Sequence, residues 1–413
     1  MNLRPRNRNS LRSALRLFRR YQVDTSPVPK RLRRAVNVAD LRSSAKRRLP
    51  GGVFDYIDGG AEDELTMSSN VQAYRSLTFR PRVLRDVSDI DITSSLLGKP
   101  LAFPLVLAPT GFTRIAEPGG ELAVARAAAR AGVPYTLSTL GTRSIEEVAA
   151  VSSGRLWFQV YVWRDRGLVA ELVQRAAKSG YEALCLTVDT AVFGRRERDV
   201  RRGFTLPPKL GPSTILDGVL HPGWTWRFLK SEPIMFANVT GRDVGDGADA
   251  VALSDYVTRQ FDPTVSWKDL EWLRGQWSGP IILKGIQTVA DARIATDAGV
   301  EAVVISNHGG RQLDSVAAAL ELLPEIADAI GDRTEIICDG GVRRGSDIVK
   351  ALALGANAVM AGRAYLYGLG AAGESGVDHV LGMFSTDMKR TMALIGCTTI
   401  KEVTRDFVAW RSS

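Results

Sequence analysis

The strongest constraint in this sequence is a repeat of short apolar runs, each closing on a small, polar or charged residue. In order they are Pro104–Gly111, Tyr135–Thr139, Leu156–Tyr161, Ala183–Asp189, Pro280–Gly285, Ala302–Asn307, Glu335–Gly340 and Ala358–Arg363. Apolar runs without polar alternation suit parallel strands covered on both faces. Helical patterns such as Gly120–Ala131, Gly167–Ser179, Val289–Ala298 and Ser346–Leu354 lie between most of them, so the repeat reads as βαβ units. Eight such units predict an α/β chain closed into a (β/α)8 TIM barrel, with its chemistry at the C-terminal strand ends. An open doubly wound sheet has the same local pattern; the number of runs and their polar ends favour the barrel.

Two stretches fall outside the repeat. Residues 34–100 predict an N-terminal extension with helices near Val38–Arg48 and Val53–Gly59 and a short β layer near Leu77–Leu84. Residues 190–279 form an unusually long connection after strand four. Its end, Trp267–Trp277, reads as the helix before strand five, and residues 200–262 read as an insert over the active-site face.

The net charge of +9 is concentrated at one end. Residues 1–50 hold fifteen Lys/Arg against Asp24 and Asp40, which leaves 39 basic and 43 acidic residues for the rest. Residues 1–33 are therefore read as a basic arm ahead of a body spanning 34–413. Such an arm is either simply solvated or drawn to anionic lipid or nucleic acid. A short basic amphipathic pattern at Leu11–Arg20 tips this toward a membrane surface and away from nucleic acid. No apolar run is long enough to span a bilayer, and no apolar stretch follows the basic start as in a secretory signal. Cys185, Cys338 and Cys397 are widely spaced, with no metal-ligand pattern, and predict reduced thiols in a cytoplasmic protein.

Strand ends carry the chemistry. His308, in Ser306-Asn307-His308-Gly309-Gly310-Arg311, ends strand six. An imidazole suits a general base, and an Arg three residues on suits a carboxylate. Asp189, ending strand four, can stabilise an imidazolium, and either Arg195 or Arg196 can add a second carboxylate clamp. Lys284 ends strand five, where a lysine can form a Schiff base or neutralise an anion. Asp339-Gly340-Gly341-Val342-Arg343 and Gly362-Arg363 end strands seven and eight, the usual barrel phosphate site. Gly368–Gly373 matches GxGxxG but opens no βαβ unit, so it is not read as a dinucleotide site.

These residues resemble a family, the FMN-dependent L-2-hydroxy acid dehydrogenases and oxidases. The likeness runs over about residues 36–410. It rests on Phe54-Asp55-Tyr56 with Gly59–Asp63, Ala108–Gly111, Trp157–Tyr161, Leu186–Thr190, Ser306–Asp314 and Asp339–Asp347. It implies that His308 is the base, oriented by Asp189. Arg311 and Arg196 would hold the substrate carboxylate, and Tyr161 and Tyr56 would bond substrate oxygens. Ala108, Pro109, Thr110, Gly111, Ser138, Gln159, Thr187 and Ser306 would bind the FMN ring system, with Lys284 at its N1–C2=O edge. Asp339, Gly340, Gly341, Arg343, Gly362 and Arg363 would hold the ribityl phosphate.

Leu140, Gly111 and the segment His221–Trp226 look most like the bacterial respiratory L-lactate enzymes. The resemblance therefore implies oxidation of L-lactate or a similar acid, electrons passed to quinone or cytochrome, a homotetramer, and a cytoplasmic place with peripheral contact to the inner face of the plasma membrane. The alternatives are a lactate monooxygenase or oxidase using O2 and, more remotely, a phosphate-binding barrel isomerase or non-enzymatic binder.

Overall fold

The computed structural model describes residues 30–202, 211–239 and 259–411. Eight parallel strands, Leu105–Leu107, Tyr135–Ser138, Leu156–Val160, Ala183–Thr187, Ile281–Ile286, Ala302–Ile305, Glu335–Asp339 and Ala358–Ala361, close into a barrel. Each pairs with the next and the eighth pairs with the first, Met360 opposite Val106. Closure excludes the open sheet. Each strand falls on one of the eight apolar runs, the fifth reaching one residue further.

Successive strand residues face opposite sides. One set packs outward against the helices in the main core. The other fills the interior, where Val106, Trp157, Cys185, Ile282, Val304, Ile337 and Met360 form a separate apolar cluster. A hairpin of two short strands, Ser94–Leu96 and Lys99–Leu101, plugs the N-terminal end of this cluster with Leu96 and Leu101. One step further along the inward face come Gln159, Thr187, Lys284, Ser306 and Asp339, all buried. The barrel is thus apolar at its floor and polar at its rim. That gradient places the site.

The N-terminal extension builds one side of the rim. Helix Val38–Arg48 begins where expected because Asn37 accepts from the Asp40 N–H. Helix Gly51–Asp58 leads to a buried carboxylate that ties four elements together. Asp58 accepts from Arg42 (2.5 and 2.7 Å), from Arg198 (2.9 Å) and from the Tyr367 hydroxyl (2.7 Å). Burial pushes the Asp58 carboxyl up, but these hydrogen bonds and charges outweigh it and hold it down at about 2. The hub fixes the following turn, Gly59–Glu64, against the barrel mouth.

A third helix, Leu65–Ser76, has no counterpart in the expectation for this region. The anticipated β layer is shorter, Leu77–Phe79, and pairs with Val408–Trp410 near the C-terminus. The basic pattern at Leu11–Arg20 lies outside the described residues. Leu32, in the short helix Lys30–Arg33, is already buried, so packed structure begins slightly before residue 34.

Within the insert, the described residues form helices Pro212–Leu220 and Pro222–Lys230, then an irregular run to Val239. Helix Trp267–Arg274 follows, capped by Ser266. The Gly368–Gly373 stretch lies in and at the end of helix Arg363–Ala372. A Cβ on Gly368 would meet the Gly376 carbonyl oxygen at 2.4 Å, so this glycine serves helix packing. All three cysteines are buried and unpaired.

Candidate active site

A cleft opens at the C-terminal rim of the barrel, with about 1360 Å³ of atom-free space that includes open solvent. Its wall brings together Tyr56, Ala108–Gly111, Ser138, Tyr161, Thr187, Arg196, Lys284, His308, Arg311, Asp339–Arg343 and Gly362–Arg363. Three residues singled out from the sequence, Gln159, Ser306 and Asp189, stand behind this wall and bond those in it. Of the arginine pair, Arg196 lines the cleft, whereas Arg195 is exposed and faces Glu197.

His308 sits in an uncommon backbone state. It has φ +56°, and Gly309 and Gly310 follow at +64° and +73°. A histidine tolerates this region at some cost, and only when its surroundings enforce it. The surroundings here do. Ser306 Oγ accepts from the His308 N–H (3.0 Å), Arg363 donates to the Gly309 carbonyl (2.7 Å), and the Ala61 N–H donates to that of Gly310 (2.8 Å).

The imidazole Nδ1 meets Asp189 Oδ1 at 2.9 Å. Asp189 is buried, yet the charges of His308 and Lys284 hold its carboxyl below the usual range. Burial lowers the His308 pKa, Asp189 raises it, Lys284 lowers it again, and the balance lies below 6.5. The ring is therefore neutral at pH 7, with Nδ1–H on the carboxylate and Nε2 free to take a proton.

Lys284 donates to Ser306 Oγ at 3.0 Å and stands 3.3 Å from Asp339. Burial disfavours its charge, but Asp339 and Asp189 outweigh this and hold it protonated. An ammonium fixed in this way is a poor amine nucleophile, which removes the Schiff-base alternative. Burial also keeps Tyr161 a phenol.

Guanidiniums line the same cleft. Arg311 donates to the Tyr56 and Gly59 carbonyls at 2.9 and 2.8 Å, and Arg363 donates to that of Gly59 at 2.7 Å. Burial, then Arg196 and Arg363, push the Arg311 pKa down to about 9. A guanidinium does not give up its proton in a protein. The surplus of buried positive charge therefore marks a place suited to anions.

The residues fit FMN on two counts. Near the rim, Gln159 Nε2 and Thr187 Oγ1 are buried with no partner among the described residues, which suits the polar edge of a heterocycle lying over Ala108–Gly111. At the far end, Gly340 and Gly341 hold left-handed backbones at φ +105° and +84°, and the buried Arg363 Nε is likewise unpartnered. Glycine turns with a guanidinium are the donor set for a phosphate.

Several lining residues had been assigned no role from the sequence: Thr190, Phe193, Phe236, Gln312, Met360 and Leu366. Phe236 arrives from the end of the insert and packs on Phe112 at 5.4 Å between ring centres; nothing local in the sequence marks it. Gln312 lies inside the His308 motif. Its side chain donates to the Asp189 and Val192 carbonyls at 3.0 and 2.8 Å, so the motif itself pointed to it.

The family model for FMN-dependent dehydrogenases matches residues 45–410. The chain is 47% identical to a putative L-lactate dehydrogenase of Mycobacterium tuberculosis, over 94% of this chain and 91% of that protein. It is 43% identical to glycolate oxidase of Spinacia oleracea, over 90% and 95%. Among solved structures it is similar to a monotopic membrane protein, (S)-mandelate dehydrogenase, with a TM-score of 0.88 and 41% identity over 91% of this chain and 99% of that one.

The electrostatics set a sign for Asp189→Asn. This change removes a charge that raises the His308 pKa, so the acid limb of kcat/KM, already below 6.5, moves to lower pH. It also removes the partner of the imidazolium, so kcat falls by about 10²–10⁴-fold, the usual weight of a positioned proton transfer. Steady-state rates between pH 4.5 and 8 check both. An acid limb that moves to higher pH would contradict the assignment.

Proposed function

The chain belongs to the FMN-dependent dehydrogenase family and oxidises a 2-hydroxy acid with FMN; from that premise we propose that its substrate is L-lactate or a similarly small L-2-hydroxy acid, and that quinone or a cytochrome takes up the electrons. The observation that carries the reading is the placement of the His308–Asp189 pair in one cleft with Arg311 and Arg196. A carboxylate held by the guanidiniums presents its α-hydroxyl to an imidazole. The apolar neighbours Leu140, Phe193 and Phe236 suit a short apolar side chain, and the identity to a putative L-lactate dehydrogenase supports the same choice.

In this mechanism Arg311 and Arg196 fix the carboxylate, and Tyr161 and Tyr56 donate to substrate oxygens. His308 Nε2 removes the hydroxyl proton, and Asp189 stabilises the imidazolium that results. FMN, when bound, would supply the acceptor for the hydrogen and two electrons that leave the substrate as its Cα–H bond breaks. Asp339, Gly340, Gly341, Arg343, Gly362 and Arg363 would hold its phosphate. Ala108, Pro109, Thr110, Gly111, Ser138, Gln159 and Thr187 would line its rings, and Lys284, braced by Ser306, would supply a fixed positive charge to their N1–C2=O edge. The imidazolium keeps the proton until the 2-oxo acid leaves, and then releases it to solvent. A homotetramer is the assembly proposed with this reading.

A membrane-surface location is part of the proposal. Among the described residues no helix is long and apolar enough to cross a membrane. The insert hairpin nevertheless carries Ile215, Leu216, Val219, Leu220, Trp226 and Leu229, each between 59% and 71% exposed, with Arg227 and Lys230 alongside. Apolar side chains flanked by basic ones are the composition of an interfacial helix. The basic arm adds attraction to anionic lipid.

Two outcomes are expected. Anaerobic mixing with a panel of L-2-hydroxy acids bleaches the flavin fastest with L-lactate, and the reduced enzyme is reoxidised faster by a quinone analogue than by air. Faster reoxidation in air favours the oxidase or monooxygenase alternative. In flotation with phosphatidylglycerol vesicles, Leu220→Glu/Leu229→Glu loses most binding while soluble turnover persists. Unchanged flotation would remove the hairpin from the membrane contact.

A further inference from the structure

Helix Leu65–Ser76 lies outside the barrel, and the mechanism uses none of its side chains. One of them, Asn70, is buried at the back of the site. Its Nδ2 donates to Asn307 Oδ1 at 2.8 Å, and its Oδ1 accepts from Asn307 Nδ2 at 2.9 Å, a closed reciprocal amide pair. Asn307 Nδ2 also donates to the Ala317 carbonyl at 3.0 Å, and Asn307 Oδ1 accepts from the Gly310 N–H at 3.1 Å. Asn307 thus closes the left-handed loop that carries His308, and Asn70 completes the Asn307 amide's bonds and anchors it to the helix.

The same residue touches the phosphate end. A Cβ on Gly341 would lie 2.1 Å from the Asn70 carbonyl oxygen, and one on Gly340 would lie 3.4 Å from the Asn70 amide group. Gly341 therefore has no room for a side chain against the helix backbone at residue 70, and Gly340 lies in ordinary contact with the Asn70 amide. The helix itself is clamped to the base loop, since Asp314 accepts from the Leu65 and Thr66 N–H groups at 3.1 and 2.7 Å.

We propose that Asn70 is a positioning residue for this reaction: through Asn307 it holds the loop that aims His308, and through its backbone it abuts the glycine turn of the phosphate site, so one helix sets both ends of the cleft. The physical reason is the cost of error on either side. Losing the Asn70 amide removes both bonds that tie Asn307 to the helix, and leaves one buried Nδ2–H and one Oδ1 lone pair of Asn307 unmatched. Without that anchor the loop is held by fewer bonds, and any shift in it moves the imidazole. Misplacing a catalytic group by about 1 Å costs up to about 10²-fold in rate.

The inference rests on His308 being the base, so the test carries its own control. Asn70→Leu keeps the bulk and removes the amide. In FMN-loaded enzyme we expect kcat per bound flavin to fall about 10–100-fold, KM to change less than about threefold, and the isotope effect on kcat from α-deuterated substrate to rise as the chemical step becomes limiting. We also expect FMN dissociation, followed by flavin fluorescence in the absence of substrate, to accelerate.

Asn70→Ser, which retains a donor and an acceptor, should recover part of kcat. It also serves as the readable variant should Asn70→Leu not fold, with a smaller drop and the same isotope signature. His308→Ala separates the two claims. If it abolishes flavin reduction while both Asn70 variants keep native kcat and isotope effect per bound flavin, the positioning role is wrong and the base stands. If His308→Ala itself reduces flavin normally, the assignment of the base falls first.

Discussion

The site depends on one imidazole held in a backbone conformation that it would not adopt unaided. A left-handed histidine costs on the order of 1–3 kcal/mol, and here it opens a run of three left-handed residues. Hydrogen bonds arrive from several elements: Ser306 beneath, Arg363 from the helix after the last strand, Ala61 from the N-terminal turn and Asn307 from within the loop. With the backbone so fixed, Nδ1 falls on Asp189 and Nε2 is left for chemistry. The strain is local, and the bonds that hold it come from groups that also form the cofactor end of the cleft.

The remainder of the fold supplies those groups at the right height. Alternation along eight parallel strands turns a simple gradient, apolar at the floor and polar at the rim, into a ring of Gln159, Thr187, Lys284, Ser306 and Asp339. The N-terminal extension then closes one side. Its buried Asp58 hub holds the turn at Gly59, whose carbonyl accepts from both Arg311 and Arg363. Positive charge gathered in this way suits anions, and the proposed ones are a substrate carboxylate and a cofactor phosphate.

How much of this could be read beforehand follows from where each signal lies. The strands were legible because a strand covered on both faces must be apolar throughout. Their polar ends were legible because rim residues break that run. Helix Val38–Arg48 falls at the expected bounds, and the structure adds its cap at Asn37. Helix Leu65–Ser76 was not legible, because LTMSSNVQAYRS has a weak apolar stripe and starts from Glu64 at φ +62° with no side-chain cap. The plug hairpin has strands of three residues, one containing Pro100, too short for any period to show. Spacing alone did not separate Arg196 from Arg195; the family resemblance chose Arg196, which lines the cleft while Arg195 is exposed. Phe236 and Asn70 reach the site through long-range packing that no local pattern encodes. The family motifs, by contrast, named most of the cleft wall, since its glycines and charges are contiguous in the chain.

The central claim is that the base and the guanidiniums converge on one small acid above the flavin. An experimental structure of the FMN-loaded enzyme with a bound 2-oxo acid tests it most directly. The account predicts the acid's carboxylate on Arg311 and Arg196, with His308 Nδ1 still on Asp189 and Nε2 within hydrogen-bond distance of the oxygen at the α-carbon. An imidazole turned away from the acid, or an acid seated beyond the reach of both arginines, would contradict it.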